Sequence, residues 1–336
     1  MIRPTLRCLP VAVVFLSIGC GGWQSALDPR SPGAATIESL WWIAFTSTGI
    51  LSSLTILGLL YAVHRAHRRA APETSRHTAS REQTFILIAG VGIPTLFLIG
   101  FLTLSVRAGT AVSEHPEEAT VMLEVVGHQF WWEVHYPNHG VVTANEIHIP
   151  VGEPVEVHIT SADVIHSFWI PQLAPGKLDM NPGRFNTLWL FAEEAGLYRG
   201  QCTEFCGVQH AHMALLVVAS PPEEFEEWLD ARRGTPPEPT DPEAARGREV
   251  FLEAGCSACH AIRGVSRPRF AGNPGPDLTD LGSRSSLGAL TIPNDREHLA
   301  QWILEPDRFK PGVRMPPTPL DDADLAALVR YLEGLR

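Results

Sequence analysis

The sequence predicts a multidomain chain: a two-helix transmembrane hairpin, an all-β sandwich and an all-α domain, in that order. Three observations carry the prediction. Two charge-free apolar stretches, about 40–63 and 85–106, are each long enough to cross roughly 30 Å of hydrocarbon as a helix. A middle stretch alternates apolar and polar residues in period two, as strands with one buried face do. The C-terminal stretch of about 95 residues spaces its apolar residues three and four apart, as helices do. A mean hydropathy of +0.03 is then an average over unlike parts. An apolar content of 45% over 336 residues excludes a disordered chain. With 37 Asp+Glu against 26 Lys+Arg, a basic nucleic-acid binder is excluded as well.

Residues 1–19 read as a signal peptide of the lipoprotein type. Arg3 and Arg7 precede the apolar run Leu9–Ile18, and Gly19-Cys20 follows it. Leu16-Ser17-Ile18-Gly19-Cys20 resembles a bacterial lipobox, which would make Cys20 the lipidated N-terminus. The hairpin occupies 20–106. Trp41, Trp42 and Tyr61 stand at the ends of the first span as interfacial anchors in the lipid bilayer. The loop 64–84 holds Arg65, Arg68, Arg69, Arg76 and Arg81 against Glu73 and Glu82, and positive loops stay cytoplasmic. Everything after Arg107 is therefore expected outside a bacterial cell membrane, on the periplasmic side. Pro94 inside the second span is tolerable in a membrane helix. Residues 1–106 contain 8 Lys+Arg and 4 Asp+Glu, which leaves 18 and 33 and a net charge of −15 for the exported part. Such a surface steers basic protein partners, or serves solubility alone.

The sandwich is expected over 107–219 and antiparallel. Val121, Leu123 and Val125 begin one strand, Ile147 and Ile149 another, Val155, Val157 and Ile159 a third, Leu215 and Val217 a fourth. A Pro-rich stretch, 220–241, reads as an extended linker. In 242–336, helix-like spacing covers Glu243–Glu253, Glu297–Glu305 and Asp321–Leu335.

Two short motifs carry chemistry. Within twelve residues the chain offers Cys202, Cys206, His210 and Met213. Thiolate, imidazole and thioether form a soft ligand set, which selects copper over magnesium or calcium. Two thiolates on one short loop can bridge two copper ions that share an unpaired electron. A dinuclear site needs a second imidazole, and His166 is the best candidate, since it follows a strand and sits among aromatics. His212 is a bystander. A Cys202–Cys206 disulfide would not need His210 and Met213, and zinc is poorly served by methionine. The second motif, Cys256-Ser257-Ala258-Cys259-His260, is the attachment signature of c-type haem, with both thiols as thioethers and His260 as proximal ligand. Met315, 55 residues on, supplies the sixth iron ligand, and no other methionine follows the motif. A thioredoxin-like C-x-x-C would need a βαβ setting that the tail lacks.

The segments His166-Ser167-Phe168-Trp169-Ile170-Pro171, Asn181-Pro182-Gly183-Arg184 and Cys202-x-Glu204-x-Cys206-x3-His210-x2-Met213 resemble subunit II of haem–copper cytochrome c oxidases, over roughly 38–219. The tail, with Gly275-Pro276-Asp277-Leu278, resembles class I cytochrome c domains. The resemblance implies a cupredoxin-like sandwich whose dinuclear CuA centre is bound by His166, Cys202, Cys206, His210, Met213 and the backbone carbonyl of Glu204. It also implies that the Glu204 side chain reaches a magnesium ion shared with subunit I. Gly127-His128-Gln129-Phe130-Trp131-Trp132 is similar to the family's aromatic electron-entry stretch, although Phe130 stands where the family usually has Trp; each of the three aromatics is equally readable as ordinary core. The implied role is electron entry from a cytochrome c donor, through the chain's own haem c and CuA, to subunit I, where dioxygen is reduced with proton translocation. Glu82 is a candidate for a proton-entry path. A nitric oxide reductase subunit and a stand-alone membrane-anchored electron carrier are the competing readings.

Overall fold

The computed structural model describes residues 22–68, 78–113, 119–270, 272 and 274–336. The signal peptide, the lipobox with Cys20 and part of the interhelical loop lie outside the described residues. The chain divides into two units, one of residues 35–115 and one of the sequence on either side.

Helix α1 spans Pro32–Arg68. Helix α2 (Thr78–Phe85) passes through a π-helical turn, Ile86–Gly92, into α3 (Ile93–Ser113). Both stretches, Pro32–Arg68 and Arg81–Ser113, are long and apolar enough to cross a membrane, with mean hydropathies of 1.8 and 2.5. They run beyond the predicted 40–63 and 85–106 because the apolar window marks what the bilayer requires, whereas helical hydrogen bonding continues into polar flanks. The π turn ends just before Pro94, whose ring lacks an N–H and crowds the carbonyl four residues back; a wider turn relieves both.

The sandwich has ten strands: β1 (Val121–His128), β2 (Trp131–Tyr136), β3 (Val141–Ala144), β4 (Glu146–Pro150), β5 (Val155–Ser161), β6 (His166–Phe168), β7 (Leu178–Met180), β8 (Asn186–Leu190), β9 (Gly196–Gln201) and β10 (Ala214–Ser220). One sheet runs β3-β2-β1-β5-β8 and the other β4-β10-β9, with β6 and β7 as a separate pair. Val121, Leu123 and Val125 of β1 are buried while Met122, Glu124 and Val126 are half-buried, as period two dictates. They share one core with Ile147, Ile149, Val157, Leu215 and Val217. The expected antiparallel arrangement is corrected: β1–β5 and β4–β10 are parallel pairs. Alternation reports which face is buried and carries no information on strand direction. Here β4 leaves for the second sheet before the chain returns to pair β5 with β1.

The expected extended linker is corrected too. Its first half is helix α4 (Pro222–Arg233), started by proline in the first turn, with Glu223 and Glu224 near its N-terminus and Arg232 and Arg233 in its last turn. Phe225 and Leu229, one turn apart, are buried in the sandwich core. Proline enrichment masked a helix that uses proline only at its start.

The C-terminal domain contains α5 (Pro242–Glu253), α6 (Arg296–Leu304), the single turn α7 (Pro306–Phe309) and α8 (Asp322–Glu333). Asp241, Asp295 and Asp321 cap α5, α6 and α8 by accepting backbone N–H bonds. At the α5–α8 crossing, a Cβ on Gly247 would sit 1.9 Å from the Ala327 carbonyl oxygen. Gly247→Ala should therefore force the two helices apart at a cost of about 1–3 kcal/mol. Calorimetry should show a lower melting temperature for this domain; an unchanged one would mean the crossing relaxes freely.

This domain packs on the sandwich through polar pairs. Thr143 Oγ1 donates to Asp280 Oδ2 at 2.7 Å, the Ser285 N–H donates to Glu146 Oε1 at 2.7 Å, and Arg263 Nη2 donates to the Gly140 carbonyl at 2.8 Å.

Candidate functional site

The loop between β9 and β10 is pinned at both ends. The Cys202 N–H donates to the Met213 carbonyl at 2.9 Å, and the Thr203 N–H donates to the Ser167 carbonyl at 3.2 Å. The first bond closes the loop; the second lays it against β6, whose first residue is His166. The sulfurs of Cys202 and Cys206 are 3.8 Å apart. That is far beyond the about 2.05 Å of a disulfide, so the disulfide alternative fails here. His166 Nδ1 lies 3.9 Å from Cys202 Sγ, and His210 Nδ1 lies 3.7 Å from Cys206 Sγ. Met213 Sδ is 3.8 Å from Cys206 Sγ, and the Glu204 carbonyl oxygen is 3.3 Å from Cys202 Sγ. His166, Cys202 and Cys206 converge as a buried group able to hold a metal ion. Two thiols, two imidazoles, a thioether and one carbonyl make a soft donor set that fits copper.

Sequence reasoning gave no role to the residues that orient this group. Asp163 Oδ1 accepts from His166 Nε2 at 2.8 Å, which leaves Nδ1 for the cluster. The other oxygen of Asp163 accepts the Gln129 N–H at 2.8 Å. Gln129 Nε2 donates to the Cys206 carbonyl at 2.6 Å. The one available signal was an Asp three residues before His166. Burial pushes the His166 imidazolium pKa down, but the bonds to Asp163 and Cys202 outweigh it and the value lies above the usual one. Cys202 is drawn down to about 3, chiefly by its hydrogen bond with Cys206 and then by His166. Cys206 is pushed up by the same partner and by burial. A bound metal would draw off the protons of both thiols. His212 bonds Gln209 at 2.7 Å instead. The Glu204 carboxylate is half-exposed and pairs with Lys177 at 3.2 Å.

The second group lies in the C-terminal domain. Cys256 and Cys259 flank a tight turn that follows α5. They remain unbridged thiols. The His260 Nδ1–H donates to the Pro276 carbonyl at 2.8 Å, which fixes the ring and leaves Nε2 free to ligate. Burial lowers the His260 pKa and favours the neutral ring that a metal requires. A Cβ on Gly275 would sit 2.6 Å from this imidazole, so the backbone can brace the ring only without a side chain. Cys256, Cys259, His260 and Met315 line one cavity of about 250 Å³, whose remaining wall is mostly apolar. Two thiols, an imidazole and a thioether around an apolar slot fit a covalently attached haem.

That cavity is also walled by Phe130 and Trp131 of the sandwich. Both are buried, and Trp132 is fully buried against Phe168. The Phe130 ring reaches the loop of Cys202–Met213 as well: a Cβ on Gly207 would lie 3.1 Å from two of its carbons. Of the three expected entry aromatics, Phe130 and Trp131 line the cavity and Trp132 belongs to the core beside His166, 6.2 Å from its ring. Glu82 belongs to α2 in the other unit and is exposed there.

A family model described as cytochrome c oxidase subunit II, periplasmic domain, matches residues 137–220, and one described as cytochrome c matches residues 244–336. The cytochrome c oxidase subunit 2 of Alkalihalophilus pseudofirmus is 33% identical, over 98% of this chain and 97% of that one. That of Bacillus subtilis is 28% identical over the same shares of the two chains. Among solved structures, the periplasmic domain of subunit II of the Bradyrhizobium japonicum cytochrome oxidase is 30% identical, covers 34% of this chain and 95% of its own, and gives a TM-score of 0.34.

Proposed function

We infer, because this chain belongs to the cytochrome c oxidase subunit 2 family, that it is the electron-entry subunit of a respiratory cytochrome c oxidase, with its own cytochrome c domain as the first station. The single observation that carries the relay is Phe130, which walls the cavity of His260 and Met315 and lies against Gly207, next to Cys206.

Cys202, Cys206, His166, His210, Met213 and the Glu204 carbonyl would hold the dinuclear copper. Cys256, Cys259, His260 and Met315 would hold haem c. Both groups, when bound, supply reversible one-electron transfer. The chain's own residues prepare it. Asp163 and the Pro276 carbonyl orient the imidazoles of His166 and His260. Apolar walls exclude water, which keeps reorganisation on charge transfer small. Phe130 packs between the two sites, and Trp131 walls the cavity beside it. Glu204 would reach the magnesium shared with subunit I once freed from Lys177. The exported domains stand on the periplasmic side of a two-pass anchor, and the donor is a soluble or membrane-bound cytochrome c. Glu82 would contribute to proton entry.

Membranes bearing the chain should consume oxygen with reduced cytochrome c. The chain purified from them should co-isolate with a haem–copper subunit I and contain two coppers and one haem. Isolation without subunit I would leave only the stand-alone carrier, and turnover of nitric oxide in place of oxygen would assign it to the reductase.

A further inference from the structure

Lys310 follows α7 and is 1% exposed. No carboxylate pairs with it among the described residues. Its Nζ donates instead to two carbonyls on different domains: that of Phe130 at 2.8 Å and that of Gly288 at 2.7 Å. Burial pulls its pKa down to about 7, so a water-excluded amine here depends on those two bonds.

Each acceptor is unusual in its own right. Gly288 opens a run of three left-handed residues, Gly288, Ala289 and Leu290, with φ of 61°, 61° and 63°. Left-handed backbone is unfavourable for Ala and Leu, and holding it requires outside bonds. The Gly288 carbonyl accepts from Thr291 Oγ1 at 2.6 Å as well as from Lys310. The second acceptor, Phe130, is the residue whose ring meets both the haem cavity and the loop of Cys206. Lys310 lines that same cavity.

We propose that Lys310 is the positioning residue for electron transfer between the two sites. It clamps the Phe130 main chain of the sandwich to the Gly288 turn of the cytochrome domain and so sets the gap the electron crosses. The inference rests on the relay reading above. The step moves one electron from the iron that His260 and Met315 would hold, raising its oxidation state by one. The copper pair that Cys202 and Cys206 would hold is reduced by one. No bond breaks and no proton is transferred.

The test uses the full chain in its native complex, with the haem reduced by a light pulse and equilibration with copper followed optically. Lys310→Met is similar in length and removes both hydrogen bonds. It should load two coppers and one haem with unaltered spectra, yet equilibrate at least about tenfold more slowly, since a misplacement near 1 Å can cost more than that. Lys310→Arg keeps N–H donors at the end of a long side chain and should stay within about threefold of the parent. A Met variant within about twofold of the parent, or Met and Arg variants slowed alike, would overturn the assignment. A Met variant that cannot load both centres would make Lys310 a folding residue and overturn it equally. If the parent chain itself shows no equilibration, the relay reading fails rather than the role of Lys310 within it.

Discussion

Cys206→Ser should strip the copper centre while leaving the haem site intact. Cys206 is the hub of its cluster: its sulfur faces Cys202 at 3.8 Å, His210 at 3.7 Å and Met213 at 3.8 Å. Replacing it removes one of the two thiolates that would hold the copper and leaves the neighbouring side chains without their shared partner. Copper retention should fall by well over about 100-fold, the scale that outer-shell changes alone can reach. The fold should survive, because Cys206 lies in a loop whose closure depends on the backbone of Cys202 and Met213. Elemental analysis of the copper-to-iron ratio reads this directly. Retention of both coppers would mean that Cys206 does not bridge.

The second large effect belongs to Met315. Met315→Ala should keep the haem, since Cys256, Cys259 and His260 are untouched, and should lose the methionine–iron absorption band. The reduction potential should fall by on the order of 0.1–0.3 V, part of the ~0.8 V span that axial ligands control. Oxygen consumption with reduced cytochrome c should fall with it, because the first station becomes harder to reduce. A redox titration and a spectrum suffice. Persistence of the band would place the sixth ligand elsewhere, though no other methionine follows the haem motif.

Much of this was legible before any coordinates. The proposed ligands Cys202, Cys206, His210 and Met213 lie within twelve residues, and Cys256, Cys259 and His260 within five, so local spacing already expresses the chemistry they could support. His166 is a different case. It lies 36 positions before Cys202; the sequence named it from its place after a strand among aromatics, and the bond from Thr203 to Ser167 lays it beside the loop. The parallel pairing of β1 with β5 was illegible because alternation has no direction. Helix α4 was hidden by a composition that suggested an extended chain.

Lys310 marks the same boundary most sharply. In the sequence it is an ordinary lysine before a Pro-Gly pair, a residue type expected at the surface. The tertiary structure buries it against Phe130, 180 positions away. By itself, then, the sequence shows two stretches apolar enough to cross a membrane and two short motifs of cysteine, histidine and methionine, because those depend on hydropathy and on residues close along the chain. How close His166 comes to the Cys202 sulfur, which aromatic walls the cavity of His260 and Met315, and where Lys310 is buried were decided only by tertiary structure. These depend on contacts between distant segments, and no local pattern encodes them.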